Sequence, residues 1–331
     1  MKRLILAPLV LALATSIGAP ALFGDEMTEV YRQIYLESIS LQEKYSAAQN
    51  LIALDDRSIA PILAEAFEEL IRTQNNFKEA SEKALYGQTV RLLAAALGQY
   101  KYTDSAKFLW DAVEQVSDPL AKAEALIAIG RMRSLDYVEK ISLMLRNLNF
   151  TPTADTDSGE KIAYGCIIAL EKLKDVQGFS PVFFATDAWY SQRIKQQAVR
   201  SLPNITADPT EPVKELITNE DTVKKIKALQ LELNSAASDA RKIETATLAL
   251  RLGHLKVDAN KRVEAKNFAD LRKLALRGLI VLKAANVDAV DVENTSYMNG
   301  FDDEERLLGI QALGVNGGDA AANGCCPNRM F

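Results

Sequence analysis

The sequence offers few side chains of the types that carry out catalysis. Its 331 residues include one histidine, His254, within RLGHLKVD near a turn between helical stretches. An imidazole titrates close to neutral pH and is the commonest general acid or base in enzymes. A lone histidine at a turn is more often an exposed or packed residue of that turn, and we expect this role here.

Motifs of the established catalytic classes are absent from the sequence. There is no HExxH, no GxSxG, and no glycine-rich loop that ends in GK followed by Ser or Thr. Carboxylates are plentiful, as in DDEE at 302–305. Runs of this kind are typical of helix starts, where acidic side chains complement the helix dipole. The sequence therefore predicts no catalytic residue and no cofactor.

Metal ligands are also scarce. Cys166 lies within GCIIALEKL and is expected to be a small buried apolar residue. Cys325 and Cys326 are adjacent, but a zinc site needs more ligands, and the single histidine is far away in sequence. The acidic loop at 155–157 lacks the spacing and the closing glutamate of a calcium-binding EF-hand. We therefore expect no metal site.

Residues 1–24 have the pattern of a secretory signal. A basic start (MKR) precedes an apolar stretch at 4–17, and small residues follow, so that cleavage after Ala21 or Gly24 is expected. An uncleaved anchor stays open as an alternative, although two prolines and a glycine interrupt the stretch. We expect an exported protein, periplasmic or secreted and bacterial, that contacts a membrane only if this segment is not removed.

The remaining sequence is typical of an all-α protein. Apolar residues recur with a period near 3.6, for example at Val30, Ile34, Leu41, Tyr45 and Ile52. Only 16 glycines and 10 prolines are present, and an all-β fold would need more turn-forming residues.

Aspartates at turns recur with a step of about 31–33 residues, interrupted by two longer gaps. They stand at Asp104, Asp136, Asp175, Asp208, Asp258, Asp288 and Asp319. We expect each to cap the second helix of a helix pair. Residues 151–159 have loop composition and predict an insertion, and residues 222–238 are a candidate helix pair without the turn aspartate.

The segments 123–219 and 248–321 resemble HEAT-type repeats. The resemblance rests on the A-x-x-A-[IL] pattern of each first helix, on a Gly, Lys or Asn turn, and on an Asp-led second helix. It implies a right-handed α-solenoid of stacked antiparallel helix pairs that binds partners and carries no catalytic residues. We expect HEAT-like repeats at 101–321, a helical cap or hairpin region at 25–100, and an irregular tail at 322–331.

Charge suggests one candidate partner surface. The chain has a net charge of -5, but residues 221–283 contain 14 Lys and Arg against 7 Asp and Glu. Two interpretations stay open: the ordinary charged outer face of a solenoid, or a docking surface for an acidic partner. The second would use Lys224, Lys225, Lys261 and Arg262.

Aromatic residues cluster in FSPVFFATDAWY. Phe183 and Phe184 fall where a second helix must pack, so we expect them in the core. Trp189 and Tyr190 are candidate partner-binding residues, because aromatic anchors dominate interface energetics. Nucleic acid is not expected as a partner, since basic and aromatic residues do not alternate.

Three functions follow from these observations. The leading hypothesis is a non-catalytic scaffold or adaptor that binds a protein outside the cytoplasm. The alternative is a structural component of a cell-envelope assembly. A less favoured one is an enzyme similar to the bilin lyases, whose HEAT-type repeats hold a pigment, but these work in a cytoplasmic setting that an export signal contradicts.

Overall fold

The computed structural model describes residues 20–254 and 261–318, and in this part of the chain all regular secondary structure is helical. The predicted all-α fold is confirmed. Short 3₁₀ turns connect several helices, at Arg57–Ile59, Gln74–Asn76, Thr103–Ser105, Leu135–Tyr137 and Val176–Gly178. The α-helices are α1 (Pro20–Glu37), α2 (Leu41–Ala53), α3 (Ala60–Arg72), α4 (Ala80–Tyr100), α5 (Ala106–Gln115), α6 (Pro119–Met132), α7 (Val138–Phe150), α8 (Thr156–Leu173), α9 (Phe179–Ala185), α10 (Gln192–Ile205), α11 (Thr210–Asn219), α12 (Thr222–Leu233), α13 (Asp239–Gly253), α14 (Arg262–Leu282), α15 (Val287–Asn299) and α16 (Asp303–Asn316).

The helices pack against their neighbours in sequence order and form two layers. Each odd-numbered helix packs against the even-numbered helix that follows it. Even helices from α2 to α10 stack one on the next, as do α12, α14 and α16, and the odd helices α7, α9, α11, α13 and α15 stack in the same way. One hydrophobic core runs from Tyr35 to Ala312. This is the packing of a helical solenoid, in which each pair buries its faces against its neighbours.

Small residues bring α4, α6 and α8 into backbone contact. A Cβ atom at Gly130 would lie 2.7 Å from the Cα atom of Ala169, and one at Gly98 would lie 2.8 Å from the Cα atom of Ala128. Gly165 meets Ala123 in the same way, at 2.7 Å. Such distances are too short for any side chain, so glycine is required where these helices cross.

The turn that follows four of the even-numbered helices has a recurring geometry. Lys101, Arg133, Lys174 and Lys283 end α4, α6, α8 and α14 in the left-handed conformation, with φ between 51° and 58°. After Arg133, the N–H of the next residue donates back to the carbonyl of Ile129 at 3.3 Å. This hydrogen bond satisfies a carbonyl that the helix end would otherwise leave unpaired.

The predicted aspartate caps are confirmed at two of the turns. Asp175 and Asp208 each accept a hydrogen bond from the backbone N–H two residues further on, at 2.9 and 3.2 Å. Asp118 likewise accepts from the N–H of Leu120 at 3.0 Å and begins α6, with Pro119 in its first turn. Carboxylates at these positions satisfy N–H groups that have no partner within the helix.

The cap prediction was wrong at three other turns. Asp104 and Asp136 lie inside their 3₁₀ turns, two residues later than Asp175 does relative to its turn, and they do not cap these turns. Asp288 lies within the first turn of α15, whose cap is Asn286. Two further turn aspartates, Asp258 and Asp319, are outside the described residues.

Two predicted segment boundaries also differ. The loop predicted at 151–159 is shorter, because Asp155 accepts from the N–H of Ser158 at 3.2 Å and α8 begins at Thr156. The segment 222–238 contains one helix, α12 at Thr222–Leu233, rather than a helix pair. In both places an aspartate N-cap determines where the helix begins: Asp155 caps α8, and Asp221 caps α12.

The two ends of the chain are only partly described. Residues 1–19 of the predicted signal and residues 319–331, which include the predicted tail and Cys325 and Cys326, lie outside the described residues. Within the described ranges, no helix is both long enough and apolar enough to cross a bilayer. The boundary predicted at residue 100 falls between α4 and α5, which are joined by the 3₁₀ turn at Thr103–Ser105.

Candidate binding groove

A groove of about 830 Å³ crosses three successive helices of the odd layer. We name it the α7–α9–α11 groove. Helix α9 packs against both α7 and α11, so α7 and α11 form the walls, and α9 with the preceding 3₁₀ turn forms the floor. A volume of this size is in the range of ligand and peptide pockets.

Helix α7 carries two stripes of residues at helical spacing. The inward stripe, Val138, Ile141 and Leu145, is buried in the core. The second stripe has the same spacing and lines the groove; its members are Glu139, Leu143, Arg146 and Phe150. Leu143 and Phe150 remain 55% and 64% exposed, so this wall presents apolar side chains to solvent.

The floor continues the apolar surface of that wall. Val176 is 46% exposed at the start of the floor, and Phe184 is half-buried further along it. The rings of Phe150 and Phe184 lie 5.7 Å apart between centroids, and Phe184 meets Phe183 edge to face at the same distance. Phe183 is fully buried, so the surface aromatic residues rest directly on the core.

Hydrogen bonds fix α7 to the floor. The side-chain amide of Asn149 donates to the carbonyl of Pro181 at 2.9 Å, in a buried position. The indole N–H of Trp189 donates to the carbonyl of Leu148 at 2.7 Å. Because both bonds join side chains to backbone carbonyls of other elements, they hold the wall in register with the floor.

Acidic residues surround the apolar surface. The lining includes Glu139 on one wall and Glu211, Glu215 and Glu220 on or beside the other, against one basic residue, Arg146. The ammonium of Lys224 lies 2.9 Å from the carboxylate of Glu220, and that of Lys214 lies 3.6 Å from the carboxylate of Glu211. Within the described residues, Glu139 and Glu215 have no ion-pair partner.

Three of the four predicted basic residues meet at a second depression, of about 680 Å³. Lys225, Lys261 and Arg262 line it together with the first turns of α12 and α14. Lys225, however, is only 7% exposed, and its ammonium donates to the carbonyl of Thr218 at 3.1 Å. Burial lowers the pKa of Lys225, and the ammonium of Lys261 lies 3.2 Å from the carboxylate of Glu264.

The fourth predicted residue, Lys224, does not line that depression. Its ammonium forms ion pairs with Glu220 and Asp221, both at 2.9 Å, and lies 5.7 Å from the ring centre of Phe184. These hydrogen-bonded carboxylates raise the pKa of Lys224. Its charge is therefore already used within the chain, at the edge of the groove.

The aromatic pair Trp189 and Tyr190 packs inward. Tyr190 is 3% exposed, and burial raises its pKa. Trp189 is half-buried, and its indole N–H donates to the carbonyl of Leu148 on α7. The ring centroids of Trp189 and Tyr190 lie 4.6 Å apart. The core position predicted for Phe183 is confirmed. Phe184, also predicted in the core, is only half-buried and lies partly at the surface of the groove.

His254 and Cys166 are both packed residues. The Nε2 atom of His254 is 2.7 Å from the hydroxyl of Ser296, and burial, with the nearby charge of Arg272, lowers the pKa of His254 to about 4. Cys166 is fully buried, which raises the pKa of its thiol to about 12. Within residues 20–254 and 261–318, no three His, Cys, Asp or Glu side chains are grouped as metal ligands would be.

The residues that shape the groove were missed at the sequence level. Leu143, Phe150 and Val176 drew no attention because isolated apolar residues at a surface are normal. A signal was present nonetheless: residues 139, 143, 146 and 150 repeat at helical spacing beside the core stripe of α7. Which of two stripes faces the core depends on the neighbouring helix, and the sequence of α7 alone does not contain that information.

The chain was also compared with known proteins. No protein-family model matches it, and no curated protein matches it significantly in sequence.

Proposed function

We propose that this chain is a non-catalytic binding scaffold that works outside the cytoplasm and holds a protein partner in the α7–α9–α11 groove. The finer architecture that we propose is a HEAT-like, right-handed solenoid of antiparallel helix pairs. Support for it comes from helix pairs stacked in sequence order and from the left-handed turn that recurs at Lys101, Arg133 and Lys174.

One observation carries the binding proposal. Leu143, Phe150 and Val176 are exposed together in a groove formed by consecutive elements, rather than scattered over the surface. An apolar surface of this kind with a charged rim is the usual composition of a protein-binding site. The hydrogen bonds from Asn149 and Trp189 hold the groove in shape without a ligand, which lowers the entropic cost of binding.

Export rests on the sequence of residues 1–24. The measurement that checks it is the mass of the protein recovered from cells that express the full chain. Loss of the first 21 or 24 residues is the expected result. An intact N-terminus on protein recovered from the membrane fraction would contradict cleavage and favour a membrane-anchored scaffold.

Site-directed photocrosslinking in cells tests the groove. A photoreactive phenylalanine analogue at Leu143 is expected to give the same crosslinked protein in repeated experiments. The control position is Val281, which is 79% exposed on α14 and lies outside the lining of the groove. The same products from both positions would contradict a specific site.

The alternative function predicts a different product. If the chain is a structural component of an envelope assembly, Leu143 should crosslink to a second copy of the chain. Mass spectrometry of the crosslinked peptides separates the two cases, because a self-crosslink joins two peptides of this sequence.

A further inference from the structure

We infer that the α7–α9–α11 groove binds a short peptide segment that has apolar side chains in its centre and Lys or Arg at its two ends. This inference rests on the proposed function and names the chemistry of the partner. The charges and the apolar side chains of the groove lining indicate this chemistry.

The two carboxylates without an ion-pair partner among the described residues lie on opposite walls. Glu139 is on α7 and Glu215 is on α11, with the floor between them. In contrast, Glu220 and Glu211 already have Lys224 and Lys214 beside them. A segment that crosses the floor therefore meets one free carboxylate near each end, and basic side chains at those ends complement both.

The apolar surface fixes the centre of the segment. On the floor between the two walls the occupant faces Val176 and Phe184, and along α7 it faces Leu143 and Phe150. Each apolar side chain that covers these residues removes hydrocarbon surface from water, and this supplies most of the affinity. The charges at the ends then select the partner and its orientation more than they add affinity.

The same charges disfavour phosphate-bearing ligands. A nucleic acid or an anionic lipid headgroup would place phosphates beside Glu139, Glu211, Glu215 and Glu220, with Arg146 as the one basic residue of the lining. Like charges at contact distance oppose binding. The depression at Lys261 and Arg262 shares Glu220 with this groove, but neither of these two basic residues lines the groove.

The width of the groove sets the length of the segment. Neighbouring packed helices are roughly 8–10 Å apart, so the path from α7 across α9 to α11 is roughly 20 Å. An extended chain advances about 3.3 Å per residue, and about six residues cross this distance. One basic residue at either end of a stretch of about six therefore matches the two walls.

Peptide binding to the full chain tests the inference. The probe is a fluorescein-labelled peptide of about ten residues, with Lys at both ends of an apolar stretch broken by Ser for solubility. Two matched peptides differ from it only by Glu in place of Lys or by Ser in place of the apolar residues. Fluorescence anisotropy should show binding of the first peptide, weaker binding of both others, and loss of affinity as salt concentration rises.

Paired variants locate the binding site. E139Q/E215Q removes the two free carboxylates, and we expect roughly tenfold weaker binding of the Lys peptide, since each exposed ion pair contributes modestly to affinity. The matched control E43Q/D291N removes two exposed carboxylates outside the groove that also have no ion-pair partner among the described residues, and it should leave binding unchanged. L143S/F150S should weaken binding in the same assay, whereas V281S, an exposed control on α14, should not.

The outcomes separate this inference from the proposed function. If the Glu peptide binds as well as the Lys peptide, or E139Q/E215Q binds like wild type, the inferred chemistry is wrong. The scaffold proposal still stands in that case if Leu143 crosslinks specifically in cells. If neither peptide binds and Leu143 gives no specific product, both are overturned.

Discussion

Arg272 on α14 forms a two-point ion pair with Glu305 on α16, with its Nε and Nη2 atoms 2.7 and 2.8 Å from the two carboxylate oxygens. Both side chains are buried. The remaining guanidinium nitrogen, Nη1, donates to the carbonyl of Gly253 at the end of α13. Glu305 also accepts from the backbone N–H of Phe301 at 2.9 Å. One buried pair thus joins three helices.

Removing one partner of this pair should be costly. R272M leaves the Glu305 carboxylate buried without its counter-charge, and we expect the free energy of unfolding to fall by about 3–5 kcal/mol. The double variant R272M/E305L should recover much of this loss, because both charges are then absent. Urea denaturation followed by circular dichroism measures the differences.

The neighbouring exposed pair provides the control for that experiment. Arg277 lies 2.6 Å from Glu304 at the surface. R277M is expected to cost at most about 1 kcal/mol, as exposed ion pairs do. Equal losses of unfolding free energy for R272M and R277M would show that the buried ion pair contributes no more to stability than the exposed one.

His254 should titrate far below the usual range of histidine. Burial and the nearby Arg272 lower its pKa to about 4. The folded state therefore binds fewer protons than the unfolded state between about pH 6.5 and pH 4, and stability falls as pH falls through this window. Since the chain has one histidine, its ring-proton resonances in an NMR titration are unambiguous. A midpoint near 6.5 would contradict the buried, neutral imidazole.

Glu293 should have the opposite effect on stability. Its carboxylate accepts from Asn316 at 2.6 Å but is fully buried, and burial raises its pKa to about 7. The folded state binds more protons than the unfolded state between about pH 4.5 and pH 7, so stability falls as pH rises through this window. A shift of this size corresponds to roughly 3 kcal/mol.

The variant E293Q isolates this effect, because glutamine keeps the shape and removes the charge. We expect E293Q to be more stable than wild type at pH 8 and no more stable at pH 4. Thermal unfolding at several pH values measures the difference. A constant difference across the pH range would mean that the pKa of Glu293 is the same in the folded and unfolded states.

Two glycine-to-alanine substitutions should have opposite signs. G130A places a methyl group 2.7 Å from the Cα atom of Ala169, and the forced separation of α6 and α8 should cost about 1–3 kcal/mol. G314A lies in α16 with no atom within 4 Å of the new methyl group, and should stabilise by about 0.5–1 kcal/mol. The two melting temperatures, measured side by side, check both signs. Equal shifts would show that the close contact is relieved at no cost.

The sequence contained most of the fold in its periodicity. Apolar spacing predicts the helices, and the pairing of Asp118 with Pro119 predicts the start of α6 because cap and proline act locally. The turn aspartates were less informative. Relative to its turn, Asp136 stands two residues later than Asp175 does, so Asp136 lies inside its 3₁₀ turn, whereas Asp175 precedes its turn and caps it.

The groove could not be predicted in the same way. Its apolar residues come from α7 and from the turn before α9, and they form one surface only because α9 packs beside α7. Lys225 shows the converse, since a basic residue chosen for its charge lies buried against the carbonyl of Thr218. Local patterns predict which residues form helices, but exposure depends on packing between distant elements.

The glycine crossings between α4, α6 and α8 have a mechanical consequence. Where backbone meets backbone, at Gly98, Gly130 and Gly165, there is no layer of side chains that could compress or slide. We therefore expect the layer formed by α4, α6 and α8 to resist stretching. We expect bending to be taken up by the opposite layer, where α7, α9 and α11 pack through longer side chains, so that flexing the molecule would narrow or widen the groove between them.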